Sequence, residues 1–141
     1  MNAQEQVNEL NKEVKCTLGT SSIHGVGVVA LRDIKRFERL YCFSNEQRKW
    51  YYIPQPKFSE LRPEVKDIIL GRWPMAWYGH KFQSPRDDVW LASFINHSEN
   101  PNYDNGTDIA LRDIKAGEEV TEDYRLMEGA TSVFPFLQGK G

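Results

Sequence analysis

Seven consecutive residues, Asn96-His97-Ser98-Glu99-Asn100-Pro101-Asn102, place amides, an imidazole, a hydroxyl and a carboxylate side by side in a chain of 141 residues. Groups of this kind can orient a polar ligand through directed hydrogen bonds. They can also do no more than build turns, because Asn and Pro suit turn backbones. Two further stretches carry chemistry of their own. In Ser22-Ile23-His24-Gly25-Val26-Gly27, two glycines flank one residue and let the backbone approach a ligand closely. Glu118-Glu119-Val120-Thr121-Glu122-Asp123-Tyr124 is an acidic, strand-like run that ends on a tyrosine. Its carboxylates read first as a solvated strand end, and no glycosidase pair can be chosen from them by spacing.

Several familiar chemistries do not fit. His24, His80 and His97 are the three histidines, and none stands at a metal-ligand spacing, so no zinc or iron centre is expected. Cys16 and Cys42 form no CxxC pair and support neither a disulfide framework nor a cysteine zinc site. No G-x-S-x-G occurs. Gly25 to Ala30 matches G-x-G-x-x-A, but a dinucleotide site needs a helix opening at the glycines, and Val28-Val29-Ala30-Leu31 continues as β-type sequence. A net charge of −2 and a pI near 5.9 argue against a nucleic-acid surface and weakly favour a basic partner. No signal sequence opens the chain, and no apolar run approaches about 18 residues. The expectation is a soluble intracellular protein, cytoplasmic, or nuclear if it acts on a eukaryotic cell.

The elements that must position these residues are mostly short and extended. Val89-Trp90-Leu91-Ala92-Ser93-Phe94-Ile95 reads as a buried element delivering Asn96 and His97 to the interior. Ala30-Leu31-Arg32-Asp33-Ile34-Lys35 recurs word for word as Ala110-Leu111-Arg112-Asp113-Ile114-Lys115. Each copy alternates like a strand with one buried face and then reaches a charged turn. Gly117 can take a positive φ in the second turn, whereas Phe37, at the equivalent place in the first, is not expected to. Pro63 to Leu70 predicts a helix with Val65, Ile68 and Ile69 on one face and Gly71 as its stop. Residues 1–15 read as a weak amphipathic helix or a frayed tail. Val133-Phe134-Pro135-Phe136-Leu137 is apolar enough to dock on something.

Taken in order, three segments resemble the SET-domain family of protein lysine methyltransferases: Ser22 to Ile34, Phe94-Ile95-Asn96-His97-Ser98 with Pro101-Asn102, and Ala110 to Val120 continuing through Asp123-Tyr124. The resemblance spans about Thr17 to Tyr124. It implies a mostly β fold, a β-rich α+β arrangement of several small sheets with one or two short helices and a knot-like C-terminal threading. The implied division is a SET domain over 16–128 with a variable insert at about 44–88, then an apolar segment, 129–141, covering the cofactor. That cofactor would be S-adenosylmethionine, held by His24, Gly25, Val26, Gly27, Asn96, His97 and Phe134. Tyr124 would stand beside the transferred methyl, with Tyr78, Tyr103 and Glu122 lining the channel for a peptide lysine. Such chemistry needs no metal. It requires desolvating and aligning an amine that is mostly protonated at neutral pH, its pKa being about 10.4.

Departures from the family pattern narrow the reading. Glu122 stands where the family usually has Phe or Tyr, Arg125 replaces a frequent glycine, and Ser93 replaces a frequent arginine. The two functions weighed are methyl transfer to a lysine of a protein and a SET-like binding module that has lost turnover. A histone or histone-like protein would suit the acidic balance as substrate, no membrane or direct nucleic-acid contact is expected, and a homodimer is compatible. The strand reading also sets Tyr124: alternation through Glu119 to Asp123 would fix its ring direction.

Overall fold

The computed structural model describes residues 1–43, 50–73, 81–85 and 90–126. In chain order, helix α1 (Ala3–Glu13) leads to strands β1 (Cys16–Thr20) and β2 (Val26–Ala30), then β3 (Trp50–Tyr52), helix α2 (Pro63–Arg72) and β4 (Lys81–Gln83). The remaining strands are β5 (Asn96–His97), β6 (Tyr103–Asp104), β7 (Ile109–Ala110) and β8 (Glu119–Glu122). The main sheet has the order β1-β2-β8-β5, and β3-β4 and β6-β7 form two small pairs. Several small sheets and few helices make the β-rich class expected from the sequence.

β8 is the strand that matters. It pairs antiparallel with β2, Val28 opposite Val120, and parallel with β5, Asn96 opposite Thr121 and His97 opposite Glu122. A parallel pair needs a crossover rather than a tight turn, and the chain between β5 and β8 supplies it through β6 and β7. Asn102 helps hold β8 in place. Its side-chain amide donates to the Glu119 carbonyl at 2.8 Å, and its Oδ1 accepts from the Thr121 amide at 2.8 Å. A buried side chain thereby supplements the short strand pairs on either side of β8.

The repeated hexapeptide does not form two extended strands. β2 ends at Ala30 and β7 at Ala110, and beyond them Ile34 and Ile114 face each other in an isolated bridge with mutual N–H to carbonyl bonds of 2.7 Å. Each copy caps the other: the Asp113 carboxylate accepts from the Arg36 amide and that of Asp33 from the Ala116 amide, both at 2.9 Å. These caps bend the chain where alternation alone predicted extension. The two turns match, contrary to expectation, since Phe37 takes φ 74° and Gly117 takes φ 86°. Matching bonds impose it: the Phe37 amide donates to the Ala110 carbonyl and the Gly117 amide to that of Ala30. Burial gives the Phe37 ring no reason to be there, as it is 64% exposed and lies beside the Arg36 guanidinium.

Two apolar clusters form the interior. One gathers Val28, Ala30, Ile34, Leu91, Ile95, Ala110, Ile114 and Val120 under the main sheet. The other joins Val7 and Leu10 of α1 to Tyr51, Phe58, Val65, Ile69 and Phe82, residues of the stretch between the resembling segments. α1 is capped by the Asn2 side chain, which accepts from the Glu5 amide at 2.8 Å. α2 runs through Gly71 to Arg72, so this glycine is not its stop. The Trp73 amide still bonds the Ile69 carbonyl, and the Arg72 guanidinium reaches the Pro85 carbonyl, which carries the helix past the glycine.

Candidate functional site

The element before Asn96 is one-sided. Leu91–Phe94 is a single 3-10 turn in which Leu91 is buried, while Trp90 and Phe94 are exposed; Ile95 beyond it is buried again. Its apolar anchors bring Asn96 onto the edge of β8. There the two N–H groups of the Asn96 amide are shared among four acceptors: Ser21 Oγ and Glu119 Oε2, each at 3.0 Å, the Val26 carbonyl at 3.2 Å and that of His24 at 3.3 Å. Four acceptors converge on one amide, so Asn96 pins the glycine turn to the sheet.

That turn is built from both sides. Ser21 Oγ donates to Glu119 and accepts from the Ile23 and His24 amides, and the Ser21 amide donates to the Gly25 carbonyl at 2.8 Å. Gly25 takes φ +49°, and a Cβ there would meet nothing within 4 Å, so the turn's outer side is open. Gly27 is the reverse case: a Cβ there would stand 2.6 Å from Glu119 Oε2 and 3.1 Å from Asn96 Nδ2. A side chain at 27 would have to push the Glu119 carboxylate out of its bonds to Ser21 and Asn96. Beside the turn, Leu18, Gly19, Thr20, Gly25 and Val26 line an open cleft of about 330 Å³. His24 and Val26 are exposed at this rim. The open glycine turn and its cleft fit a ligand that combines hydrogen-bonding and apolar parts, as S-adenosylmethionine does.

At the other end of β5, His97 Nδ1 accepts from the Tyr124 amide at 3.0 Å, which places the imidazole proton on Nε2. The two rings lie 5.1 Å apart. The Tyr124 hydroxyl donates to the Ile95 carbonyl at 2.6 Å. β8 ends at Glu122 and Tyr124 begins a 3-10 turn, so its ring is directed by these two bonds and not by strand alternation. Burial, then the Glu122 carboxyl, pushes the phenol above its ordinary value. Tyr124 is therefore a neutral hydroxyl at physiological pH.

The acidic run is not a solvated strand end. Glu119 serves the glycine turn, and Glu122 is buried, its carboxyl pushed up by desolvation. Asp123 takes the guanidinium of Arg125 at 2.6 Å, which holds the Asp123 carboxyl below its usual range. Arg125 thereby has a local partner.

The structure brings His24, Gly25, Val26, Gly27, Asn96, His97 and Tyr124 around one junction of β2, β5 and β8. Tyr103 lies on another side, 1% exposed, with its hydroxyl on Asp108 Oδ1 at 2.6 Å; Glu122 and Tyr103 share a separate cleft. Tyr78, Phe134 and the segment 129–141 lie outside the described residues. Sequence reasoning missed Ser21 and Glu119 as builders of the glycine turn, and Asp108, whose carboxylate also accepts from the Arg39 side chain and the Tyr41 and Cys42 amides. A serine ahead of the two glycines was the available signal. Among the described residues, no group of three His, Cys, Asp or Glu side chains could hold a metal ion.

The family described as the SET domain matches residues 25–125. Among solved structures, a Plasmodium falciparum protein designated a candidate histone methyltransferase aligns at 20% identity, covering 79% of this chain and 94% of its own, with a TM-score of 0.40. Polycomb Repressive Complex 2 of Chaetomium thermophilum, in a humanized mutant bound to the inhibitor GSK343, aligns at 18% identity over 87% of this chain with a TM-score of 0.43. This chain spans 17% of that one. No curated protein matches the chain.

Proposed function

Because this chain belongs to the SET-domain family, we propose that it transfers a methyl group to the side-chain amine of a lysine in a protein. The observation that carries this reading is the pairing of β5 with β8, which sets Asn96, His97 and Tyr124 at one junction with the glycine turn. S-adenosylmethionine would supply the methyl group. His24 to Gly27, Asn96 and His97 would hold it, the first four through the open backbone of the turn, Asn96 by fixing that turn.

Tyr124 stands at the junction as a hydroxyl held neutral at physiological pH, its pKa pushed up by burial and then by the Glu122 carboxyl. It is no general base, and its part is to orient groups by hydrogen bonding. Its own position is fixed through Ile95 and His97, so a small displacement of either would misplace it, and orientation of this kind contributes much of a rate enhancement. The lysine must arrive desolvated to lose its proton at neutral pH, and a basic protein such as a histone suits the net charge of −2.

A second reading, a SET-like binding module without turnover, is favoured by Glu122, a buried carboxylate where the family usually has an aromatic ring. Incubation with radiolabelled S-adenosylmethionine, histones and lysate proteins separates the two. Label on protein is the expected result. Cofactor bound without any label transferred would favour the binding module.

A further inference from the structure

Between the Tyr103–Gly106 turn and the Glu122–Asp123 end of β8 lies a cleft of about 210 Å³, with the exposed Leu126 beside it. Tyr124 does not line it. Three carboxylates contribute to this cleft, and two are already engaged. Asp104 accepts from the amide and hydroxyl of Thr107, and Asp123 carries Arg125. Glu122 differs. It is 5% exposed, and its Oε2 has no hydrogen-bond partner among the described residues.

We propose that this cleft is a subsite for a cationic side chain, an alkylammonium or a guanidinium, which Glu122 Oε2 accepts. Asn105 hydrogen-bonds this carboxyl, but its Oε2 is left without a donor; a buried carboxylate oxygen without a donor is costly, and an incoming cation that donates to it removes that cost. Asp104 and Asp123 add negative potential at the same mouth, while the exposed Leu126 offers apolar surface to the stem of a long basic side chain. This deepens the reading of a basic protein substrate and rests on it for the identity of the chain that brings the cation. The subsite would select substrates with a basic residue at a fixed place relative to the reacting lysine.

The test is a titration of the ¹⁵N-labelled full chain, without cofactor and at constant ionic strength, with n-butylammonium chloride, ethylguanidinium chloride and the neutral n-pentanol. Saturable shifts of the Asn105, Gly106 and Glu122 amides with at least one of the two cations, and not with pentanol, are expected. Whichever cation saturates at the lower concentration identifies the side chain the cleft prefers. In Glu122→Gln the effective cation should bind at least tenfold more weakly. Equal shifts with pentanol, no shifts with either cation, or unchanged cation affinity in Glu122→Gln would overturn the proposal. The wild-type comparison of cation with alcohol stands even if the variant misfolds. Methyl transfer is not measured, so a protein that fails as a methyltransferase could still pass, and an active one could still fail.

Discussion

The hydroxyl of Tyr124 donates to the carbonyl of Ile95 at 2.6 Å, tying the residue two places beyond β8 to the residue just before β5. With the bond from the Tyr124 amide to His97, it closes a loop of contacts around a two-residue parallel pair that would be weak alone. The ring's place is thus a product of tertiary bonds. Tyr124→Phe keeps the ring and the His97 contact and removes one hydrogen bond. Stability should fall by only about 0.5–1.5 kcal/mol. Methyl transfer should fall by about tenfold or more, equal to about 1.4 kcal/mol of transition-state stabilisation. Thermal melts and turnover on the same preparation check this. A tyrosine that served only to join β5 to β8 would lose stability and keep its per-molecule rate.

Asn96 permits a sharper comparison. Its amide faces four acceptors, among them Glu119 Oε2 at 3.0 Å. Asn96→Ala removes the donors, which should cost about 1–3 kcal/mol. Asn96→Asp preserves shape but brings a carboxylate against Glu119 and two carbonyls, so it should cost more than the alanine variant. Both should weaken S-adenosylmethionine binding, the aspartate more, as the glycine turn loses its pin. Calorimetry with the cofactor and urea melts check the order; an aspartate variant as stable as alanine would contradict the four-acceptor arrangement.

What the sequence disclosed about this site was what local chemistry writes. Two glycines around one residue, Asn-His after an apolar run and a tyrosine after an acidic strand were readable because each motif is contiguous. Partners supplied by distant chain were not. Asn102 read as a turn residue because the β8 backbone it bonds lies 17 and 19 residues onward. Nothing in the chain around Asp108 marked it, although its carboxylate gathers Arg39 from 69 residues away. Phe37 misled differently: its residue type argued against positive φ, and the paired repeat overrode that preference.

Phe37 therefore carries strain. A non-glycine residue in the left-handed region costs about 1–2 kcal/mol, and with a ring 64% exposed there is little burial to offset it. Phe37→Gly should keep the bond from residue 37 to the Ala110 carbonyl and raise stability by about 0.5–1 kcal/mol, after the greater flexibility of glycine in the unfolded chain is counted. The complementary change, Gly117→Phe, should destabilise. Chemical denaturation of both variants tests the pair, and loss of stability in Phe37→Gly would mean that the ring's contact with Arg36 outweighs the backbone strain.

Glu122 should leave a signature in the pH dependence of stability. Desolvation raises its carboxyl above the ordinary value of 4.5, and the charge of Asp104 pushes the same way while Asn105 opposes. The folded state thus binds this proton more tightly than the unfolded chain does. Between 4.5 and the raised folded value, the native protein holds more protons than the unfolded one, so this group makes stability fall as pH rises. Its favourable contribution is complete below the unfolded value and lost once pH passes the folded one. Glu122→Gln removes the ionisation without a large change in shape. The variant should melt higher than the parent at pH 7, and the difference should shrink as pH is lowered toward 4.5. Melting curves of both proteins across pH 4 to 8 test this directly. Parallel curves, with a constant difference at every pH, would show that the Glu122 charge is compensated, and the unpartnered Oε2 at the end of β8 would have to be abandoned.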